Sequence, residues 1–269
     1  MSYSINIIGA GRIGQVLARL FVLNNIAQLN AVCNRSLESG KLAIDFIGEG
    51  TALADVSELP TADMTFITTP DDVIASCAQQ LAENSLKPGS IIVHCCGAKP
   101  ADILKPVKKH DVLIASAHPL FSFGDRKTSL EQFAGAYVSL DGDKEACDHL
   151  QTLFAKLGAH TFMIDSRYKT NYHIGAVFAS NFLPLLTHAA TQCFQSANID
   201  EETSRHITHK LMQNTLNNLQ VTETIADALT GPLKRGDSAL IEQHIASLEN
   251  TDLHDLYITL TNASKVLVD

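Results

Sequence analysis

The sequence predicts an α/β domain with a doubly wound, mostly parallel sheet, followed by an all-helical domain. Three observations carry that expectation. Short apolar runs with strand character alternate with helical runs through residue 165. No strand-like run follows from 166 to 269. The glycine cluster GAGRIG, at 9–14, falls where the first strand should hand over to the first helix. Alternation of this kind implies helices on both faces of a parallel sheet. The domains expected are therefore 1–165 and 166–269.

The elements follow in order. SINIIG (4–9) is an apolar run that ends on glycine, and RIGQVLARLFVLNN (12–25) has helical apolar spacing. AQLNAVCNR (27–35) reads as a strand and LESGKLAIDFIG (37–48) as a helix. ADMTFITTP (62–70) is a strand that stops at Pro70. DDVIASCAQQLAEN (71–84) is expected as a helix with Asp71 and Asp72 in its first turn, where acids suit the dipole. GSIIVHCCG (89–97), DVLIASAHP (111–119), GAYVSLDG (135–142) and AHTFMID (159–165) are further strands, with a helix at KEACDHLQTLFAKLG (144–158). Four helical runs then follow, at 169–197, 200–220, 238–249 and 252–267. The stretch ALTGPLKRGD (228–237) interrupts them and reads as non-helical. Gly231 and Pro232 should end one helix, and Asp237 or Ser238 should cap the next.

Composition narrows the function classes. The chain has 269 residues, 45% apolar and 18% charged, ordinary for a packed globular protein. The net charge of −9 argues against non-specific nucleic-acid binding. No run of eighteen apolar residues occurs and no signal peptide is read, so no membrane span and a cytoplasmic location are expected. The six cysteines, at 33, 77, 95, 96, 147 and 193, lack CxxC spacing and should be reduced and mostly buried. His206 and His209 share a helical face without a carboxylate partner, so no metal site is expected.

Gly9, Gly11 and Gly14 have G-x-G-x-x-G spacing in a strand-to-helix context. In that context Gly9 allows the tight turn, Gly11 the approach of a diphosphate, and Gly14 close helix–strand packing. Ala10, Arg12 and Ile13 complete the loop, and the free N–H groups of the helix start would hold the phosphates. At the end of the second strand stands Asn34-Arg35-Ser36, with no acid to hold a ribose. Arg35 suits a 2′-phosphate, with Asn34 and Ser36 as hydrogen-bond donors, so NADP(H) is expected rather than NAD(H). Thr69, Pro70 and Gly97 stand at later strand ends and should line the same crevice, with His118 near the substrate or nicotinamide.

A nicotinamide enzyme also needs a group that polarises or protonates its substrate. Lys169 and His173 are four apart at the start of the long helix and share a face. By regular helical counting Ser180 returns near that face. Asn181 is offset by a third of a turn and lies ~18 Å along the axis.

The motifs GAGRIG, NRS, TTPDDVI, HCCGA, AHPLFSF, YHIGAVFASNF and LTGPLKRGD occur in this order across nearly the whole chain. On these motifs the chain resembles a family of Rossmann-like proteins with a helical C-terminal domain. That family is similar in architecture to pyrroline-5-carboxylate reductases, 6-phosphogluconate and β-hydroxyacid dehydrogenases, and ketopantoate reductases. The sequence resembles the branch that acts as an alternative ketopantoate reductase. The resemblance implies that Lys169 donates a proton or polarises the carbonyl. Such relatives usually carry asparagine one turn on, where this chain has His173, which leaves Lys169 and His173 both open as the acid. It further implies that Thr230 and the turn after it bind a substrate carboxylate, with Arg235 held by Asp237 or forked onto that acid. Reduction of a small 2-oxo acid by NADPH, with 2-dehydropantoate as substrate, is the expected activity. An imine reductase of the pyrroline-5-carboxylate type and a nucleotide sensor without turnover are the alternatives. A homodimer is expected, because related helical domains pair and FLPLLTHAATQCF is more apolar than one small domain needs.

Overall fold

The structure, a computed structural model, describes residues 3–268. Eight strands form one sheet: β1 (Tyr3–Ile8), β2 (Ala27–Cys33), β3 (Thr51–Leu53), β4 (Met64–Ile67), β5 (Ile91–His94), β6 (Leu113–Leu120), β7 (Tyr137–Gly142) and β8 (His160–Met163). Their order is β3-β2-β1-β4-β5-β6-β7-β8. The first six are parallel, whereas β7 runs antiparallel to β6 and β8 parallel to β7. The chain leaves β1 in one direction and returns on its other side at β4, which opens a crevice at the carboxyl edge. The predicted architecture holds. The three-residue β3 and the reversal at β7 lie outside what the sequence reading contained.

Helices cover the sheet. In α1 (Arg12–Leu23) the buried positions Gly14, Leu17, Ala18 and Phe21 follow helical periodicity and face the sheet. Ser36 accepts the Ser39 N–H to cap α2 (Leu37–Ile47), and Gly48 ends that helix in the left-handed region. α3 (Ile74–Ala82) starts later than expected. The Val73 N–H closes a turn onto the Pro70 carbonyl, so Asp71 and Asp72 lie in that turn and outside the first helical turn. α4 (Arg126–Gln132) and α5 (Lys144–Ala155) complete this side of the chain. One core layer joins α1 and α5 to the sheet through Phe21, Phe66 and Phe154, whose rings sit 5.5 and 6.0 Å from Phe21. The opposite layer packs Ile74, Ala78 and Leu81 on Ile8, Ile67 and Ile114.

The chain divides into two compact units, one ending at Phe178 and one starting at Ala179. The switch from strands to helices comes earlier, after β8. α6 (Lys169–Ala176) therefore belongs to the first unit. A π turn at Val177–Asn181 joins α6 to α7 (Phe182–Ser196). The second unit continues with α8 (Glu201–Val221), α9 (Ile225–Ala228), α10 (Gly231–Arg235), α11 (Ser238–Ser247) and α12 (His254–Ser264). Asp200 caps α8, whose first turn carries Glu201 and Glu202. Thr187 donates to Met212 Sδ, and Thr191 faces the Thr208 hydroxyl, across the α7–α8 seam.

Three expectations change here. The run Gly231–Arg235 is helical, because Pro232 sits at the helix start, where its missing N–H leaves no bond unmade. Gly236, at φ +65°, then ends that short helix and Asp237 caps α11 by accepting the Leu240 N–H. The π turn adds a residue to its turn, so regular counting from Lys169 to Ser180 and Asn181 fails. Finally, Ser166–Ser196 is a helical stretch of 31 residues that could cross a membrane by length and composition alone. Its first turn instead buries Lys169 against the sheet. Cys33, Cys77, Cys95, Cys96 and Cys147 are buried and Cys193 is exposed, all as free thiols.

Candidate functional site

Register brings the strand ends level. Ile8 pairs with Cys33 and with Ile67, Ile67 with His94, and His94 with Ser116. The residues that follow form one rim. Gly9 takes φ +81°, and a Cβ there would lie 2.5 Å from Thr69 Cγ2. A Cβ on Gly14 would lie 2.3 Å from Thr68 Oγ1, whereas nothing stands within 4 Å of one on Gly11. Space over Gly11 and a tight seam behind Gly9 and Gly14 fit a diphosphate laid on the loop. No side chain caps α1 at Gly11, so the N–H groups of its first turn stay open to an anion. The residues present therefore fit a dinucleotide.

The end of β2 does two jobs. Asn34 Oδ1 accepts the Ala10 N–H at 2.7 Å, which pins the glycine loop. Ser36 is taken up in capping α2. Arg35 is exposed and makes no ion pair among the described residues, so of the three it is the side chain left for a phosphate. Thr69 Oγ1 is buried and makes no hydrogen bond of normal geometry, although the Cys77 thiol lies close enough to feel it. Pro70 opens the turn to α3.

The other half of the rim is polar. β6 and β7 pair Ser116 with Asp141 and His118 with Ser139. Alternation along each strand puts these four on one face. The opposite face, with Ala115, Ala117, Val138 and Leu140, belongs to the core. Lys169, Tyr172 and His173 stand at i, i+3 and i+4 of α6 and meet the polar face. Lys169 is 1% exposed. Its Nζ donates to Ser116 Oγ at 2.6 Å and lies 3.8 Å from Asp141 Oδ2. Ser116 donates onward to the Cys96 carbonyl, and Asp141 accepts the Ala101 N–H at 2.9 Å. Burial lowers the Lys169 pKa from its usual value, and Asp141 opposes that shift. The ammonium thus ties β6, β7 and the segment after β5 together.

Imidazoles flank this charge. His94 is fully buried. Its Nδ1 accepts the Cys96 N–H, so Nε2 carries the proton and donates to the Pro100 carbonyl. Burial, then the Lys169 charge, lowers its pKa to about 4. Burial also takes His118 to about 4, followed by the effects of His173 and Lys169. Both are neutral near pH 7. The His118 ring lies over Gly97, where a Cβ would come within 2.7 Å of it. His118 Nδ1 and Tyr172 Oη are 2.7 Å apart, and the His118 and His173 rings are 6.2 Å apart. His173 Nδ1 is buried without a hydrogen-bond partner among the described residues. The buried thiols of Cys95 and Cys96 are pushed up to about 12 and about 11, first by burial, so neither is a nucleophile.

The first unit thus gathers Gly9, Gly11, Gly14, Asn34, Arg35, Thr69, Gly97 and His118 on the sheet's carboxyl edge, with Lys169 and His173 on its polar face. Ser180, Asn181, Thr230, Arg235 and Asp237 belong to the second unit. There Asp237 caps α11, and among the described residues no ion pair joins it to Arg235. Sequence reasoning missed Tyr172, Ser116, Ser139 and Asp141. The signal was present as polar residues two apart in SAH and SLD, which a half-buried strand points to one side.

Residues 1–119 match the Rossmann-like domain, and residues 136–264 match the domain of unknown function DUF2520. No curated protein matches the chain. Among solved structures, the chain is similar to a Bacteroides fragilis protein described as an NADP oxidoreductase (21% identity, 97% of each chain covered, TM-score 0.83). It is similar to a 1-pyrroline-5-carboxylate reductase of Streptococcus pyogenes at 14% identity, covering 99% of this chain and 98% of that one, with a TM-score of 0.68. A reductive aminase of Aspergillus terreus, solved with NADPH and ethyl levulinate, matches at 14% identity over 100% of this chain and 94% of that one, with a TM-score of 0.70. At these identities the likeness is one of fold.

Proposed function

We propose that the chain is an NADP(H)-dependent oxidoreductase that reduces a small 2-oxo acid, with 2-dehydropantoate, reduced to pantoate, as its substrate. One observation carries the reading. A buried ammonium, Lys169, stands with His118 and His173 beside the strand edge that bears the open glycine cradle. A buried positive charge next to the neutral His118 imidazole suits an anionic substrate whose oxygen gains charge during reduction. When bound, the reduced nicotinamide supplies the hydride. Gly9 to Gly14 and Arg35 hold the nucleotide, with Thr69, Pro70 and Gly97 along its path. His173, with its unpartnered Nδ1, meets the substrate, and Lys169 supplies the charge from behind Ser116. In this reading Thr230 and the turn after it bind a carboxylate, with Arg235 forked onto that acid because Asp237 is taken up in capping α11. Ser180 and Asn181, in the π turn after α6, are further proposed substrate contacts.

The functional unit is a cytoplasmic homodimer in this proposal, without a nucleic-acid partner. The apolar residues left exposed on α7 and α8 support it, among them Leu185, Leu211 and Leu216 at 45%, 58% and 43% exposure. A second reading, reduction of a cyclic or open imine, is favoured by the fold likeness to a pyrroline-5-carboxylate reductase and a reductive aminase. The test is NADPH oxidation by the purified protein with 2-dehydropantoate, with pyrroline-5-carboxylate and NADH as comparisons. Turnover of the oxo acid with NADPH is expected. Turnover of pyrroline-5-carboxylate alone selects the imine reading, and NADPH binding without turnover of either selects a sensor.

A further inference from the structure

We infer that the phenol of Tyr172, held by His118, is the proton donor of this site, and that Lys169 is a positioning residue. The inference rests on the reductase reading above and goes beyond it in assigning the acid. Geometry separates the two candidates. The Lys169 ammonium is 1% exposed, with a hydroxyl and a carboxylate around it, so it does not reach a molecule in the crevice. Tyr172 stands one helical turn further along α6 and is only half buried. Its Oη lies 2.7 Å from His118 Nδ1, on a ring that overlies Gly97 of the nucleotide rim. The Phe162 ring packs edge-on to the phenol, with ring centroids 6.2 Å apart.

The surroundings suit a phenol that gives up its proton. Tyr172 faces His118 from β6 and Ser139 from β7. Ser139 Oγ is buried without a normal hydrogen bond, yet close enough to favour the phenolate. Burial alone raises the Tyr172 pKa, which keeps the proton in place before reaction. The other titratable groups near the pair are Asp141 on β7, and Lys169 and His173 on α6. His94 on β5 and Asp71 in the turn after β4 complete the set. With reduced nicotinamide as the reductant, a new C–H bond forms at the carbonyl carbon from the hydride, and the carbonyl oxygen takes up the electron pair of its own double bond. The Tyr172 O–H bond breaks, its proton bonds to that oxygen, and the electron pair stays on Oη. The Ser139 hydroxyl and, in the tautomer that carries its proton on Nδ1, the His118 ring then donate to the phenolate. Water restores the proton after the alcohol leaves.

The isosteric variant Tyr172→Phe tests the assignment. With 2-dehydropantoate, kcat is expected to fall by about 10²–10⁴-fold, with KM and the NADPH dissociation constant within about threefold. Lys169→Met, in contrast, should loosen the strand edge and weaken NADPH binding together with kcat. A second readout needs no turnover. The difference between tyrosinate absorbance titrations of wild type and Tyr172→Phe isolates this phenol. In a His118→Leu background its titration should move up by about one pH unit. An unchanged titration, or a Tyr172→Phe enzyme that keeps full kcat while wild type turns over, overturns the inference. A wild-type protein inert toward every oxo acid overturns the reductase reading itself.

Discussion

The two units treat their apolar residues in opposite ways. In the sheet-bearing unit Phe21, Phe66 and Phe154 are fully buried, with Phe21 against both other rings. In the helical unit Ser204, Thr208 and Ala228 are the buried residues among those described, while α7 buries none. The first unit therefore has a core of its own. The second leaves Leu185, Leu211, Leu216 and Leu260 exposed. The lesson is that the sheet-bearing unit buries its large apolar side chains within one chain, whereas the helical unit leaves several of its own exposed, which is what the proposed homodimer would cover.

The strongest way to break this comparison is a matched pair of truncations. Phe154→Ala should destabilise the protein by ~3–5 kcal/mol in chemical denaturation at any concentration. Leu211→Ala should change the single-chain stability by less than ~0.5 kcal/mol, yet lower the concentration dependence of unfolding. Concentration-independent unfolding of both, with equal losses, would refute an assembled helical unit. Acid sharpens the contrast next. In the unfolded chain His94 titrates near 6.5 and in the fold near 4. Between those values the unfolded chain binds more protons, so stability is full above about 6.5 and falls as pH drops toward about 4. The loss for His94 is on the order of 3 kcal/mol. It should be absent in a folded His94→Gln variant, and hydrogen exchange should report it in the sheet before the helices.

Smaller effects probe the nucleotide rim. Gly14→Ala puts a Cβ 2.3 Å from Thr68 Oγ1. A loss of ~1–3 kcal/mol in melting is expected, together with weaker NADPH binding. Arg35→Ala should leave melting unchanged and weaken NADPH about tenfold relative to NADH, equivalent to ~1.4 kcal/mol. Equal effects on both nucleotides in a binding titration would remove Arg35 from the 2′-phosphate.

Much of this was legible in the sequence. The alternation of runs and GAGRIG located β1, α1 and the cradle, because periodicity and glycine chemistry are local. β3 escaped because three residues are too few for a pattern. α10 escaped because Gly and Pro mark helix starts as well as breaks. The π turn escaped because nothing in VFASN announces an extra residue. Lys169 was singled out by residue type and helical position. Its burial was not, since that depends on Ser116 and Asp141, 53 and 28 positions away, being paired across β6 and β7. Tyr172 was passed over because tyrosine on an apolar helix reads as packing until a partner is known.

Asn34 has a last consequence, for how coenzyme preference could drift. Its amide oxygen holds the loop by accepting one backbone N–H, and a carboxylate oxygen accepts that bond equally well. Asn34→Asp would therefore keep the loop anchored while placing at the end of β2 the acid that grips an unphosphorylated ribose. The same change would repel a 2′-phosphate. A single-base route between Asn and Asp codons thus separates this loop from the opposite nucleotide choice, with no intermediate in which the loop comes undone.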